Sequence, residues 1–214
     1  MKKLLFIFFI IISSYGQGQN VFFNTGVNIT TYDYENSSGG TSDNLQSSTG
    51  SFYEIGYAIP IDFSNRSRGW GRYSRLKFKT SFTLNNYNAT GGNNLDNYEW
   101  KTQYMGLRTN LEFFIWKSDY FSGTIDGGVG FEFLGRGKQK IGGETFDLKS
   151  NDEFNSLFLT PKLGFNFVYN VTEDVGLSAG FNLSKATSSK GGNGGENVQF
   201  NNSQITFGIN IQVY

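Results

Sequence analysis

The residues able to carry chemistry in this chain are defined first by what is missing. Among 214 residues there is no His and no Cys. Imidazole general bases, thiolate nucleophiles and thiolate metal sites therefore have no residue to stand on. What remains are carboxylates and cations spaced along the middle of the chain: Asp62, Arg75, Lys77, Lys79, Arg108, Glu112, Asp126, Glu132 and Lys162. A pair of carboxylates can perform acid–base work, but here each lies near a cation. Folding back across residues 64–72 sets Asp62 opposite Arg75 and Pro60 opposite Lys77. Folding back across 116–119 sets Asn110 opposite Asp126, and Arg108 opposite Gly128 with Asp126 diagonal to it. Glu112 and Glu132 share a face, as do Lys79 and Lys162. The expectation is a charge network that neutralises itself, with no catalytic residue.

Other ligand signatures are absent. The glycines of GVGFEFLG (128–135) have the wrong spacing for a dinucleotide loop. GGNGG (191–195) reads as a loop tip. The acidic stretch DYENSSGGTSDN (33–44) lacks the alternating ligands of a calcium loop. No cofactor and no metal site is expected. The formal net charge is zero, so no basic field points to nucleic acid.

The elements that hold these charges show a period of two. Phe (22), Tyr (12) and Gly (28) are abundant while Pro (2) is scarce, a composition that favours strands and turns. Val21, Phe23, Val27 and Ile29 alternate with Asn24, Gly26, Asn28 and Thr30. Tyr53 to Phe63, Leu76 to Leu84, Met105 to Ile115, Phe121 to Phe133, Leu157 to Phe167 and Val175 to Leu183 follow the same rule, and Ile205 to Val213 closes the series. That makes eight strands. Pro161 falls inside the sixth, where it cannot donate to a ladder and predicts a bulge. The connections alternate: 32–50, 86–97, 136–153 and 186–197 are long and polar, whereas 64–72, 116–119 and 170–174 are short. In the third long connection, KQKIGGETF (138–146) predicts a hairpin turning on Gly142–Gly143.

Residues 1–18 have the form of a signal peptide: Lys2 and Lys3, an apolar run from Leu4 to Ile12, then small residues, with cleavage after Gly16 or Gly18. The run is about half of the ~20 residues a spanning helix needs. Residues 19–214 form one domain, carrying 16 basic and 18 acidic groups, a net charge of −2.

Alternation does not say which face is outside. The apolar faces carry more bulk than an eight-stranded barrel can enclose, and the opposite faces are rich in Gly, Ser, Thr and Asn. Trp70, Trp116 and Tyr169 lie in or beside short turns, as a lower aromatic girdle would. Apolar side chains outward and a polar lumen inward is the expected arrangement. The last strand must then pair with the first, because an open edge in hydrocarbon leaves backbone groups unsatisfied. Phe207, Ile209, Ile211, Val213 and Tyr214 become structural residues.

On these residues, the alternating strands, the sorted loops and the C-terminal strand, positions 20–214 resemble the small outer-membrane β-barrels of the OmpA/OmpX-like, eight-stranded, up-and-down kind. The resemblance implies a transmembrane barrel in the cell outer membrane and contact with its lipid. It also implies a terminal strand recognised by the barrel-assembly machinery, although Tyr214 stands one step out of phase with Val213. Enzymes among such barrels, including lipid A deacylases, palmitoyltransferases, outer-membrane phospholipases and omptin proteases, use a histidine, which this chain lacks. The expectation is a non-enzymatic barrel with a plugged polar lumen, acting structurally or binding an envelope protein or surface ligand through its long loops. A narrow channel for small solutes or ions, a subunit of a secretion or envelope-assembly complex, and a soluble secreted barrel holding an apolar ligand are the alternatives.

Overall fold

A computed structural model of the chain describes residues 19–35, 38–40, 45–61, 75–92, 97–189 and 197–213. The proposed signal peptide, Asp62, Phe63, Trp70, the GGNGG tip and Tyr214 lie outside the described residues.

Strands β1 (Gln19–Glu35), β2 (Leu45–Ile61), β3 (Leu76–Gly92), β4 (Asn97–Lys117) and β5 (Phe121–Ile141) follow one another antiparallel. A four-residue β6 (Glu144–Asp147) folds back on β5, and a 3-10 turn (Leu148–Ser150) leads toward β7 (Phe158–Asn170), β8 (Val175–Ser188) and β9 (Asn197–Val213). β9 pairs with β1 from Gln19↔Val213 to Glu35↔Asn197, which closes the ring. Eight strands form the wall, and β6 is an appendage of β5.

The register gives the barrel's geometry. One lateral row of partners leaves β7 at Tyr169 and runs through Leu177, Ile209, Phe23, Ile55, Phe82, Leu107 and Phe131 to Leu159. It returns to the same strand ten residues away, a shear of 10 for eight strands, which requires strands inclined roughly 35–45° to the axis. Every residue on this row is apolar and exposed. The row one step along is enclosed: Glu54, Thr83, Glu132 and Phe158 are all buried. Leu107 is 64% exposed and its chain neighbour Arg108 is 0% exposed. The barrel has its greasy side outside.

The strands run further than their apolar segments. Most of what reads as long loop is continued ladder: β1 and β9 stay paired through Tyr32↔Phe200, and β3 and β4 through Gly92↔Asn97. Backbone groups in a polar segment still need partners, and a neighbouring strand already in register supplies them. The hairpin at Gly142–Gly143 forms as the sequence predicts, with positive φ at both glycines (56° and 94°), as a two-residue turn of this hand requires.

Two local expectations change. Pro161 causes no register shift. It sits outward on β7 in step with Val129, and only the ladder to β8 is interrupted, between Leu159↔Thr187 and Lys162↔Ser184. A missing N–H removes bonds without adding a residue, so the face assignment around it survives. In the β4–β5 hairpin Asn110 lies opposite Gly128, Arg108 opposite Gly130 and Glu112 opposite Asp126. The predicted partners are two residues out, because the reversal is at Ser118–Tyr120, where the Ser118 N–H donates to Phe121 O at 2.7 Å, and a bulge at Phe114/Trp116 takes up the slack.

Candidate functional site: the filled lumen

Inward positions build the interior in layers. Nearest the short turns, Lys79 Nζ lies 3.0 Å from Glu112 and also over the Phe22 ring, 4.5 Å from its centroid. Lys162 Nζ lies 2.9 Å from Asp126, which also accepts from the Asn166 amide at 2.6 Å. Lys77, half-buried, stands over the Phe114 ring at 5.1 Å. Above these pairs Arg108 reaches from β4 to Glu132 (3.4 Å) and toward Glu54 (3.9 Å), with Phe52 under its guanidinium at 5.7 Å. Glu54 accepts further bonds from Ser81 (2.7 Å) and Asn24 (2.9 Å). Glu132 accepts from Asn85 (3.0 Å) and from the Tyr87 hydroxyl (2.7 Å).

An amide layer follows. Gln204 donates to Asn28 at 2.6 Å and to Asn85 at 3.2 Å, and Asn28 donates to Asn85 at 3.3 Å. Each carboxylate of the lumen thus meets a cation or several donors, the condition under which buried charge is tolerated. Glycine makes the fit possible at particular points. A Cβ at Gly128 would run into Asn110, and one at Gly56 into the Phe22 ring.

Then the polarity reverses. Tyr32, Tyr87, Tyr104, Phe158, Phe200, Val198 and Ala186 point inward and pack with Leu134, Leu148 and Phe154 into an apolar layer across the barrel's long end. Phe200 contacts four rings: Tyr32, Tyr87, Tyr104 and Phe158, at centroid distances of 4.6 to 5.4 Å. The hydroxyls find partners, Tyr32 on Tyr87 O (2.8 Å) and Tyr104 on Phe154 O (2.8 Å). Outside this layer the wall is polar, with Asp33 accepting from Asn201 at 2.6 Å. Tyr87 joins the two regimes, its hydroxyl on Glu132 and its ring among the aromatics.

Of the network named from sequence, Lys77, Lys79, Arg108, Glu112, Asp126, Glu132 and Lys162 face the interior. Arg75 is exposed in the bend before β3, where its carbonyl oxygen accepts the Phe114 N–H at 2.9 Å and its side chain is not enclosed with the others. Phe207, Ile209, Ile211 and Val213 all point outward on β9. Sequence reasoning missed Glu54, the amide trio and the aromatic layer. The signal was present as a parity switch: on β1 the apolar residues move from odd positions (Val27, Ile29) to even ones (Tyr32, Tyr34), and on β9 Phe200 and Val198 are even where Ile205 and Phe207 are odd. At the short-turn end Trp116, Phe121, Phe167 and Tyr169 form a chain of aromatic contacts, with neighbouring ring centroids 5.1 to 5.8 Å apart.

No family model matches the chain, and no curated protein does. Solved structures do. Neisserial surface protein A is 14% identical, with 89% of this chain and 96% of that one covered and a TM-score of 0.47. The outer membrane protein OprG from Pseudomonas aeruginosa is 11% identical, with 93% and 97% covered and a TM-score of 0.48. The outer membrane protease OmpT from Escherichia coli is 10% identical, with 92% and 97% covered and a TM-score of 0.47. The structures that this chain is similar to are thus small outer-membrane β-barrels, and its own closed ladder makes it an eight-stranded, antiparallel, up-and-down barrel.

Proposed function

We propose that the chain is an integral outer-membrane barrel, non-enzymatic and closed to conduction, with a structural or surface-binding role in the cell envelope. The observation that carries this reading is the exposed apolar row that circles the entire wall. On β5 the outward apolar residues run from Phe121 to Phe133. At about 3.3 Å per residue and an incline near 40°, that is a band about 30 Å tall, the thickness of a hydrocarbon core. A soluble protein exposing a band of this extent would aggregate. Closure to conduction is supported by two stacked seals, the ion-pair layers and the aromatic layer above them. The non-enzymatic reading is supported by the use of Glu54, Glu112, Asp126 and Glu132 in holding a cation or several donors.

Fractionation tests the reading directly. The mature chain should partition with membranes, require detergent for release, and resist carbonate extraction. Monodisperse protein in plain buffer would overturn it. In planar bilayers the intact barrel should give no stable open level, and a sustained conductance altered by changing Lys79 or Arg108 would favour the channel instead.

A further inference from the structure

We propose that the outward face of β4 and β5, just above the apolar band, binds the net-anionic, phosphate-bearing headgroups of lipids in the surrounding leaflet. This rests on the membrane reading. Along β5 the even-numbered residues Asp126, Gly130, Glu132 and Leu134 point inward and are buried. Had that parity continued, Arg136, Lys138 and Lys140 would enter the apolar layer. A bulge at Gly135 intervenes, where the register to β4 slips between Gln103↔Arg136 and Tyr104↔Leu134. Beyond it Gly137 is buried and all three cations are exposed on the outer wall. Bulges re-aim side chains, and this one turns three consecutive even positions outward.

The surrounding charges leave the stripe basic. Lys101 lies directly opposite Lys138, a like-charge pairing that costs stability on a strand surface. Glu99, opposite Lys140, is held by Lys101 at 2.6 Å. Asp147, opposite Lys138 on β6, accepts the Lys149 backbone N–H at 2.9 Å. Arg136, Lys138 and Lys140 have no ion-pair partner within 4.0 Å among the described residues. Across the ring, four strands away in either direction, the outward residues of β1 at the same end are acidic, Asp33 and Glu35. Arg136 follows the last apolar residue of the band, Phe133, by three positions. That is about 10 Å of strand at most, so its side chain meets the layer where headgroup phosphates stand. Because the cations point radially from the wall and continue upward from the lipid-facing band, the occupant fitted to them is a neighbouring lipid, not a ligand seated on top of the barrel.

The test uses the full mature chain refolded into phosphatidylcholine vesicles with trace spin-labelled phosphatidylglycerol or spin-labelled phosphatidylcholine. In the motionally restricted spectral component the anionic label should be preferred at least about twofold, and the preference should weaken in high salt. R136Q/K138Q/K140Q should abolish the preference, and D33N/E35Q, on the opposite wall, should retain it. Restricted lipid without headgroup preference would overturn the proposal and leave the membrane reading standing. No restricted lipid at all would instead sink the membrane reading. Binding of soluble dextran sulfate with no lipid preference would overturn the proposal in favour of a free polyanion.

Discussion

Arg108 and Glu132 face each other inside the barrel, Nη2 to Oε1 at 3.4 Å, with both side chains fully enclosed. The same guanidinium lies 3.9 Å from Glu54 on the other side. Three strands, β2, β4 and β5, are thereby tied at one height.

Removing the cation alone should therefore be costly. R108M leaves Glu54 and Glu132 buried without their counter-charge, and a loss of about 3–5 kcal/mol is expected. R108M/E132Q should be less unstable than R108M. Urea unfolding in lipid vesicles, followed by tryptophan fluorescence, measures both, and a double variant no better than the single would contradict the pairing.

The outer face should penalise charge according to height. L107R and F165R, in the band, should each cost about 2–4 kcal/mol, whereas Q103R, outward but above it, should cost about 1 kcal/mol or less. Equal penalties at all three positions would show that no hydrocarbon layer surrounds Leu107 and Phe165.

The aromatic layer should behave as a true core. F200A removes a ring packed against four others and should destabilise by about 3–5 kcal/mol. Y87F keeps the packing but leaves Glu132 short of one donor, for about 1–3 kcal/mol. A neutral Y87F in the same unfolding assay would argue that the Tyr87–Glu132 bond is not formed.

At the hairpin, G143A should cost about 1 kcal/mol or somewhat more through its φ of 94° alone, since a Cβ there meets nothing within 4 Å. G128A should cost more, because a Cβ there meets the Thr109 carbonyl oxygen and Asn110 Cα, so the β4 backbone itself must move. Thermal denaturation of the two variants ranks them, and the reverse order would contradict the tight β4–β5 contact.

Parity was legible because it is local. Whether Leu107 and Arg108 point in opposite directions follows from their being neighbours in a strand, and the hairpin follows from two adjacent glycines able to take positive φ. The inward placement of the charges from Lys77 to Lys162 came from the same rule. Partner identity was not local: Glu112 meets Asp126 across the ladder because the reversal lies at 118–120 and Phe114/Trp116 bulges, and neither is encoded in the alternation. Nor did the strands announce how far up the barrel each residue sits. Tyr32 and Phe200 read as loop and strand margin until the shear brings them to one level, where they close a core of their own. The sequence by itself determined which residues share a face, since a period of two needs only adjacent side chains. Only the tertiary structure decided which residues share a height, since that depends on eight registers closing together, and height is what separates the ion pairs from the aromatic seal.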